Sequence, residues 1–258
     1  MTVTLASRGL TIRFGGHVAV NAVTADFRAG ELTAIMGPNG AGKTTYFNLL
    51  SGQLKPSAGH VFLHGRDITR TSAPVRTDLG LGRAFQLTNL FPRLSVQENV
   101  RLAVQSRENA GFNVFARWRA RTDLIEQAHR YLDMVGLAAR ADDLTASLPH
   151  GDKRKLEVAL LMALEPKVLM FDEPTAGMSV DEVPVILEMI QSLKNRGDRT
   201  ILLVEHKLDV IRSLADRIIV LHNGTLVADG SPADVMASDV VQEAYLGAKA
   251  APEAPAHA

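Results

Sequence analysis

The sequence predicts an α/β protein with a mixed sheet core, an antiparallel strand group before it and a helical subdomain inserted into it. Three observations carry this expectation. The apolar run Glu31 to Met36 leads through a glycine-rich turn into Thr44 to Leu50, a segment free of helix breakers. Short alternating segments precede that unit. After residue 165, strand-like and helix-like segments alternate, the pattern of a parallel sheet with crossover helices. At 258 residues the chain is somewhat longer than a typical single domain, which suits one compact unit with an insertion.

In chain order, Val3 to Phe27 reads as the antiparallel group: Leu10-Thr11-Ile12-Arg13-Phe14 alternates and Gly15-Gly16 punctuates it. Glu31 to Met36 is a strand, the glycines after it a loop, and Thr44 to Leu50 a helix. From about Phe91 the apolar residues recur at helical intervals; Ser95 and Glu98 have capping-box spacing, and Thr122 to Val135 continues the pattern. A strand at Val168 to Phe171, a helix at Val180 to Asn195, a strand at Thr200 to Val204 and a segment at Asp209 to Leu214 follow. Ile218 to Leu221 and Leu226 to Ala228 flank Asn223-Gly224, a favoured hairpin turn. The expected division is a core in two parts, residues 1–88 and 165–247, a helical subdomain over 89–164, and a disordered Ala/Pro-rich tail over 248–258.

Composition narrows the function classes. Lys and Arg total 28 and Asp and Glu total 28, so no net field draws the chain to nucleic acid or anionic lipid, and a nucleic-acid partner is disfavoured. The absence of cysteine leaves no disulfide framework and fits a reducing compartment. Neither a cationic start followed by a long apolar run nor about eighteen uninterrupted apolar residues occurs. A soluble cytoplasmic protein is the expectation.

Gly37-Pro38-Asn39-Gly40-Ala41-Gly42-Lys43-Thr44, with Thr45 behind it, fits the phosphate-binding P-loop and lies between a strand and a helix. Glycines there let successive backbone N–H groups turn toward one oxyanion, and the helix N-terminus adds positive potential. Lys43 can reach terminal phosphates and Thr44 can hold Mg²⁺. The competing reading is a glycine-rich turn without a ligand, which the flanking strand and helix disfavour. Val168-Leu169-Met170-Phe171-Asp172-Glu173 supplies an apolar strand ending in two acids. In isolation these are two solvated acids opening a turn. Beside a P-loop, the first supports Mg²⁺ and the second polarises the attacking water, so Asp172 is assigned to metal and Glu173 to general base.

The order of motifs from Phe14 to His206 resembles the ABC ATPase family over most of the chain. The resemblance implies a P-loop ABC ATPase fold and ATP with Mg²⁺ as cofactors. Phe14 matches the aromatic that stacks on adenine; Gln86, in Ala84-Phe85-Gln86, matches the Q-loop glutamine assigned to nucleotide and metal; His206, after Leu203-Val204-Glu205, matches the switch histidine near the γ-phosphate. Leu148-Pro149-His150-Gly151-Asp152 occupies the place of the signature, usually Leu-Ser-Gly-Gly-Gln. Pro149 replaces the serine, so the phosphate contact of that serine is absent or comes from His150, Gly151 or the helix start. Leu148, His150, Gly151 and Asp152 are therefore assigned to a nucleotide held by a second subunit. In Ala176-Gly177-Met178-Ser179, the D-loop, Ser179 stands where Asp is common.

Within that family the chain is similar to the ATPases of branched-chain amino acid importers, with their urea and short-amide relatives. Arg13-Phe14-Gly15-Gly16, Arg83-Ala84-Phe85-Gln86, the variant signature, Glu173 to Met178 and Ala244-Tyr245-Leu246-Gly247 carry that similarity. The resemblance implies permease subunits contacting the Leu87 to Glu98 surface, a second ATPase subunit, identical or related, in an ATP-sandwich dimer, an extracytoplasmic solute-binding protein acting indirectly, and a peripheral position on the inner face of the membrane. Arg117-Trp118-Arg119-Ala120-Arg121 reads as a solvated helix face ahead of a lipid-headgroup contact. A lipopolysaccharide exporter ATPase shares the P-loop and the Tyr245-Leu246-Gly247 ending but normally carries Leu-Ser-Gly-Gly. A soluble ABC ATPase acting on ribosomes or DNA usually has tandem cassettes or a coiled-coil insertion. A subunit that binds nucleotide without hydrolysing it leaves Glu173 and His206 unexplained.

Overall fold

The computed structural model describes residues 2–84, 90–108, 122–179 and 183–246. Gln86, the Arg117 to Arg121 cluster and the 248–258 tail lie outside these. Strands β1 (Val3–Phe14) and β2 (His17–Arg28) form the expected antiparallel pair, and β4 (Ala58–Leu63) and β5 (Arg66–Asp67) extend it in the order β2-β1-β4-β5. The second sheet has six strands. Its members are β3 (Leu32–Met36), β6 (Leu81–Ala84), β7 (Val168–Asp172), β8 (Thr200–Val204), β9 (Arg217–His222) and β10 (Thr225–Gly230), ordered β10-β9-β3-β8-β7-β6. All its pairings are parallel except β9 with β10, the hairpin turned by Asn223 and Gly224, both at positive φ.

Strands β3, β7 and β8 are buried along their whole length, which is why they read as apolar runs without polar alternation. Their alternation is spent between two cores. Leu169, Phe171, Ile201 and Leu203 face the helical layer; Val168, Met170, Leu202 and Val204 face the antiparallel sheet and α1 (Lys43–Ser51). The helical layer contains α3 (Val96–Arg107), α4 (Thr122–Met134), α5 (His150–Ala163), α6 (Val183–Asn195) and α7 (Leu208–Leu214). Helix α2 (Ala73–Asp78) precedes β6, and α8 (Pro232–Ala237) and α9 (Asp239–Leu246) follow β10. Val235 and Val241 from these last two pack on Ala34, Met36, Ile218 and Val220.

One local difference from the sequence reading has a physical cause. Ser95 caps α3 by accepting from the Glu98 N–H, but the Glu98 carboxylate takes the Arg101 guanidinium at 2.9 Å, so half of a capping box forms. Of the helix expected over Val180 to Asn195, Val183–Asn195 is α6, and 180–182 lie outside the described residues. Among the described residues, no helix is long and apolar enough to cross a membrane.

Candidate functional site

Parallel strands deliver their C-terminal ends to one edge of the sheet, the usual place for ligands in such folds. Here that edge receives Gly37 after β3, Asp172 and Glu173 at the end of β7, and His206 shortly after β8. Residues as far apart in sequence as Gly37 and His206 thereby meet. A cleft of about 420 Å³ is lined by Phe14, His17, Ala19, Asn39, Gly40, Ala41, Gly42, Lys43, Thr44, Thr45, Glu173 and His206. A larger hollow of about 760 Å³ lies between Lys55, His60, Asp67 and Arg70. Its Asp67 is already engaged by His60 at 2.9 Å and by Thr69, so the chemistry converges in the smaller cleft.

The loop from Gly37 to Gly42 is shaped by what crowds it. Gly42 has φ +94, and a Cβ there would come within 2.4 Å of the Ala19 carbonyl oxygen. Ala41 N donates to Pro38 O at 3.1 Å and Ala41 O accepts from Gly224 N at 3.0 Å, so β2 and the β9–β10 hairpin clamp the loop from outside. Lys43 opens α1; its Nζ donates to Gly37 O at 2.6 Å and Pro38 O at 2.9 Å. Burial pushes the Lys43 ammonium below its usual range, opposed by the charges of Glu173 and Asp172. Phe14, half exposed at 50 %, stands at the mouth beside His17, its partner across the β1–β2 turn.

Glu173 has φ 49, a left-handed conformation that costs a β-carbon-bearing residue roughly 1 kcal/mol or more. Its N–H donates to Val204 O at 2.9 Å, and its Oε1 lies 2.9 Å from His206 Nε2, with both side chains 41 % exposed. The acid and the histidine thus form one unit open to solvent. Asp172 behaves differently. Its Oδ2 accepts from Arg83 at 2.6 Å, while its Oδ1 is buried without a partner. Burial pushes the Asp172 carboxyl up, and the Arg83 guanidinium pulls against that shift. A buried orphaned carboxylate oxygen two strands from a threonine at a helix start fits a hydrated Mg²⁺, an oxygen-seeking ion that keeps several waters.

The signature residues stand apart from this cleft. Leu148 is buried in the helical core, and Pro149 caps α5 without a side-chain hydrogen bond. Asp152 is held by Arg140 at 2.6 Å and Lys155 at 3.0 Å. His150 lies against the D-loop: a Cβ on Gly177 would sit 3.5 Å from its Cε1. None of these lines the cleft that holds Lys43.

Sequence reasoning gave no role to Arg83, Glu205 or His17. Glu205 is buried; its Oε1 accepts from Thr175 N–H at 3.3 Å and Thr175 Oγ1 at 2.5 Å, and its Oε2 from the N–H groups of His206 at 2.8 Å and Lys207 at 3.3 Å. It buckles the turn after Glu173 to the turn bearing His206. The signal available for Glu205 was its place directly after the apolar run Ile201 to Val204; Arg83 had no comparable local signal.

Residues 20–176 match the family model for ABC transporters, and residues 225–251 match one described as branched-chain amino acid ATP-binding cassette transporter. The high-affinity branched-chain amino acid transport ATP-binding protein LivG of Salmonella typhimurium is 37% identical over 248 residues, covering 94% of this chain and 97% of that protein. The lipopolysaccharide export system ATP-binding protein LptB of Acidithiobacillus ferridurans is 32% identical over 247 residues, covering 96% and 98%. Among solved structures, the ATP-binding cassette MJ1267 of an ABC transporter in its ADP conformation superposes with a TM-score of 0.81 at 26% identity, covering 96% of this chain and 100% of that one.

Proposed function

Since the chain belongs to the ABC transporter ATP-binding family and so is a transport-coupled ATP hydrolase, we propose that it energises an importer of branched-chain amino acids or related small polar solutes, with Glu173 as general base. The observation that carries the chemistry is the pairing of Glu173 and His206 at 2.9 Å in the same cleft as the P-loop. The adenine stacks on Phe14, and the phosphates enter the loop from Gly37 to Thr45. Lys43 exchanges its two loop carbonyls for phosphate oxygens, a trade its ammonium makes because carbonyls neutralise no charge.

Thr44, Asp172 and Gln86 would hold Mg²⁺, which neutralises phosphate charge when bound. Glu173 accepts the proton of the attacking water, and His206 fixes the carboxylate and the γ-phosphate relative to each other. The separation of Leu148, His150, Gly151 and Asp152 from the cleft supports their use on the ATP of a second subunit, with α5's start and His150 standing in for the missing serine. Closure of that dimer around ATP and its reopening after hydrolysis move the permease subunits through the helical subdomain of 89–164, with the core in 1–88 and 165–247. The chain then sits on the inner face of the membrane and serves an extracytoplasmic solute-binding protein indirectly.

The match over residues 225–251 and the higher identity to LivG than to LptB support the amino-acid cargo over lipopolysaccharide export. Glu173→Gln tests the general base. Its ATP affinity stays within about threefold of wild type and its turnover falls about 10²- to 10⁴-fold. Near-normal turnover contradicts the assignment.

A further inference from the structure

Arg83 is 6 % exposed, on the third residue of β6, and among the described residues its guanidinium spans four separate groups. One nitrogen donates to Asn48 Oδ1 at 2.6 Å, Ser51 Oγ at 2.9 Å and Gln53 Oε1 at 2.6 Å; the other donates to Asp172 Oδ2 at 2.6 Å. The plane also lies over the Phe47 ring, 4.9 Å from its centroid. Phe47, Asn48 and Ser51 belong to α1, the helix whose first two residues are Lys43 and Thr44. Arg83 therefore ties the end of β7 to the helix that presents the phosphate-binding side chains. A guanidinium fork sets the plane of a carboxylate, which a point charge cannot do.

We propose that Arg83 is a positioning residue for the metal: by holding Asp172 Oδ2 against α1, it fixes the carboxylate so that Oδ1 remains the oxygen available to the hydration shell of Mg²⁺. Neutral acceptors on α1 take the other guanidinium nitrogen, so the clamp is anchored on the helix rather than free to follow the acid. Without it, a buried carboxylate beside a charged ligand has no fixed orientation, and the metal gains less from it. Partners behind a metal's direct ligands characteristically control affinity about 10- to 100-fold. The proposal rests on the ATP-site reading above and concerns metal support rather than hydrolysis.

The test measures ATP affinity of the full chain by calorimetry in EDTA and in saturating Mg²⁺, giving the factor by which Mg²⁺ tightens binding. In Arg83→Gln that factor falls about tenfold while affinity in EDTA changes less than about twofold, because Lys43 and the loop amides still hold the phosphates. Arg83→Lys, which keeps charge without the fork, falls in between; it also decides the question if Arg83→Gln melts too early to assay. In an Asp172→Asn background, Arg83→Gln has an effect of less than about twofold on the same factor, since the two act as one unit. An unchanged or larger Mg²⁺ factor in the Arg83 variants, or equal losses with and without Mg²⁺, overturns the proposal. Failure of the wild-type chain to bind ATP at all faults the nucleotide reading instead.

Discussion

Glu173 is strained and half exposed, whereas Glu205 is buried and receives hydrogen bonds from Thr175, His206 and Lys207. The strain at Glu173 is sustained because the turns on either side are stitched together. Glu205→Ala leaves those donors unpaired and lowers stability by about 2 kcal/mol in urea unfolding. It also reduces kcat about tenfold or more with the KM for ATP within about threefold, because the defect lies in the geometry of Glu173 and His206. Glu205→Gln, which keeps the Oε1 acceptor, recovers part of the loss; equal falls in kcat and ATP affinity across both variants would rule out the buckle. Glu173 was legible because it ends an apolar strand in a chain with a P-loop, and His206 because its place matches the switch histidine of the family the sequence resembles. Glu205 was not, since its value depends on Thr175, thirty residues away and brought close by adjacent strands β7 and β8.

At the scale of elements, the P-loop was the most legible feature because its chemistry is local: a buried strand, glycines and a helix start in one short stretch. Gly42 is one of its crowded points, where positive φ and the Ala19 carbonyl exclude a side chain. Gly42→Ala adds about 1–3 kcal/mol of backbone strain and removes measurable ATP binding; affinity within threefold of wild type would mean that the loop tolerates another path. Strand β6 was not legible. Only four residues long, it contains Gly82 and Arg83 and becomes a strand because β7 pairs with it, while a Cβ at Gly82 would meet Leu161 at 2.4 Å. Tertiary pairing decides such a segment, and no local pattern encodes it. The acid-sensitive element is the β5 turn, where Thr69 N–H and hydroxyl hold the Asp67 carboxyl at about 2. A depressed carboxyl stabilises the fold above its unfolded value of 3.8, and that contribution is lost as pH falls through about 2. Asp67→Asn therefore lowers Tm at pH 5 and converges with wild type near pH 2; the exposure of the group keeps the difference small.

For the whole molecule, the two sheets and helical layer were legible as a class, from apolar runs before the P-loop and alternating elements after residue 165. The strand order was not, because parallel neighbours such as β3 and β8 are far apart in sequence. The α5 start does not line the cleft, and in the proposed sandwich one chain offers half of a closed ATP site. If the sandwich pairs identical chains, Glu173→Gln with ATP doubles in mass by light scattering and returns to one chain with ADP; a single-chain mass with every nucleotide contradicts the identical pair and leaves a related ATPase subunit as the second half. In the proposed function, ATP bound at Lys43 powers uptake of branched-chain amino acids. The most direct test is uptake of labelled leucine, isoleucine and valine by host cells lacking redundant importers and carrying either this chain or Lys43→Ala. Uptake with the wild-type chain and its loss in the variant is the expected result; equal uptake by both sinks the proposed cargo.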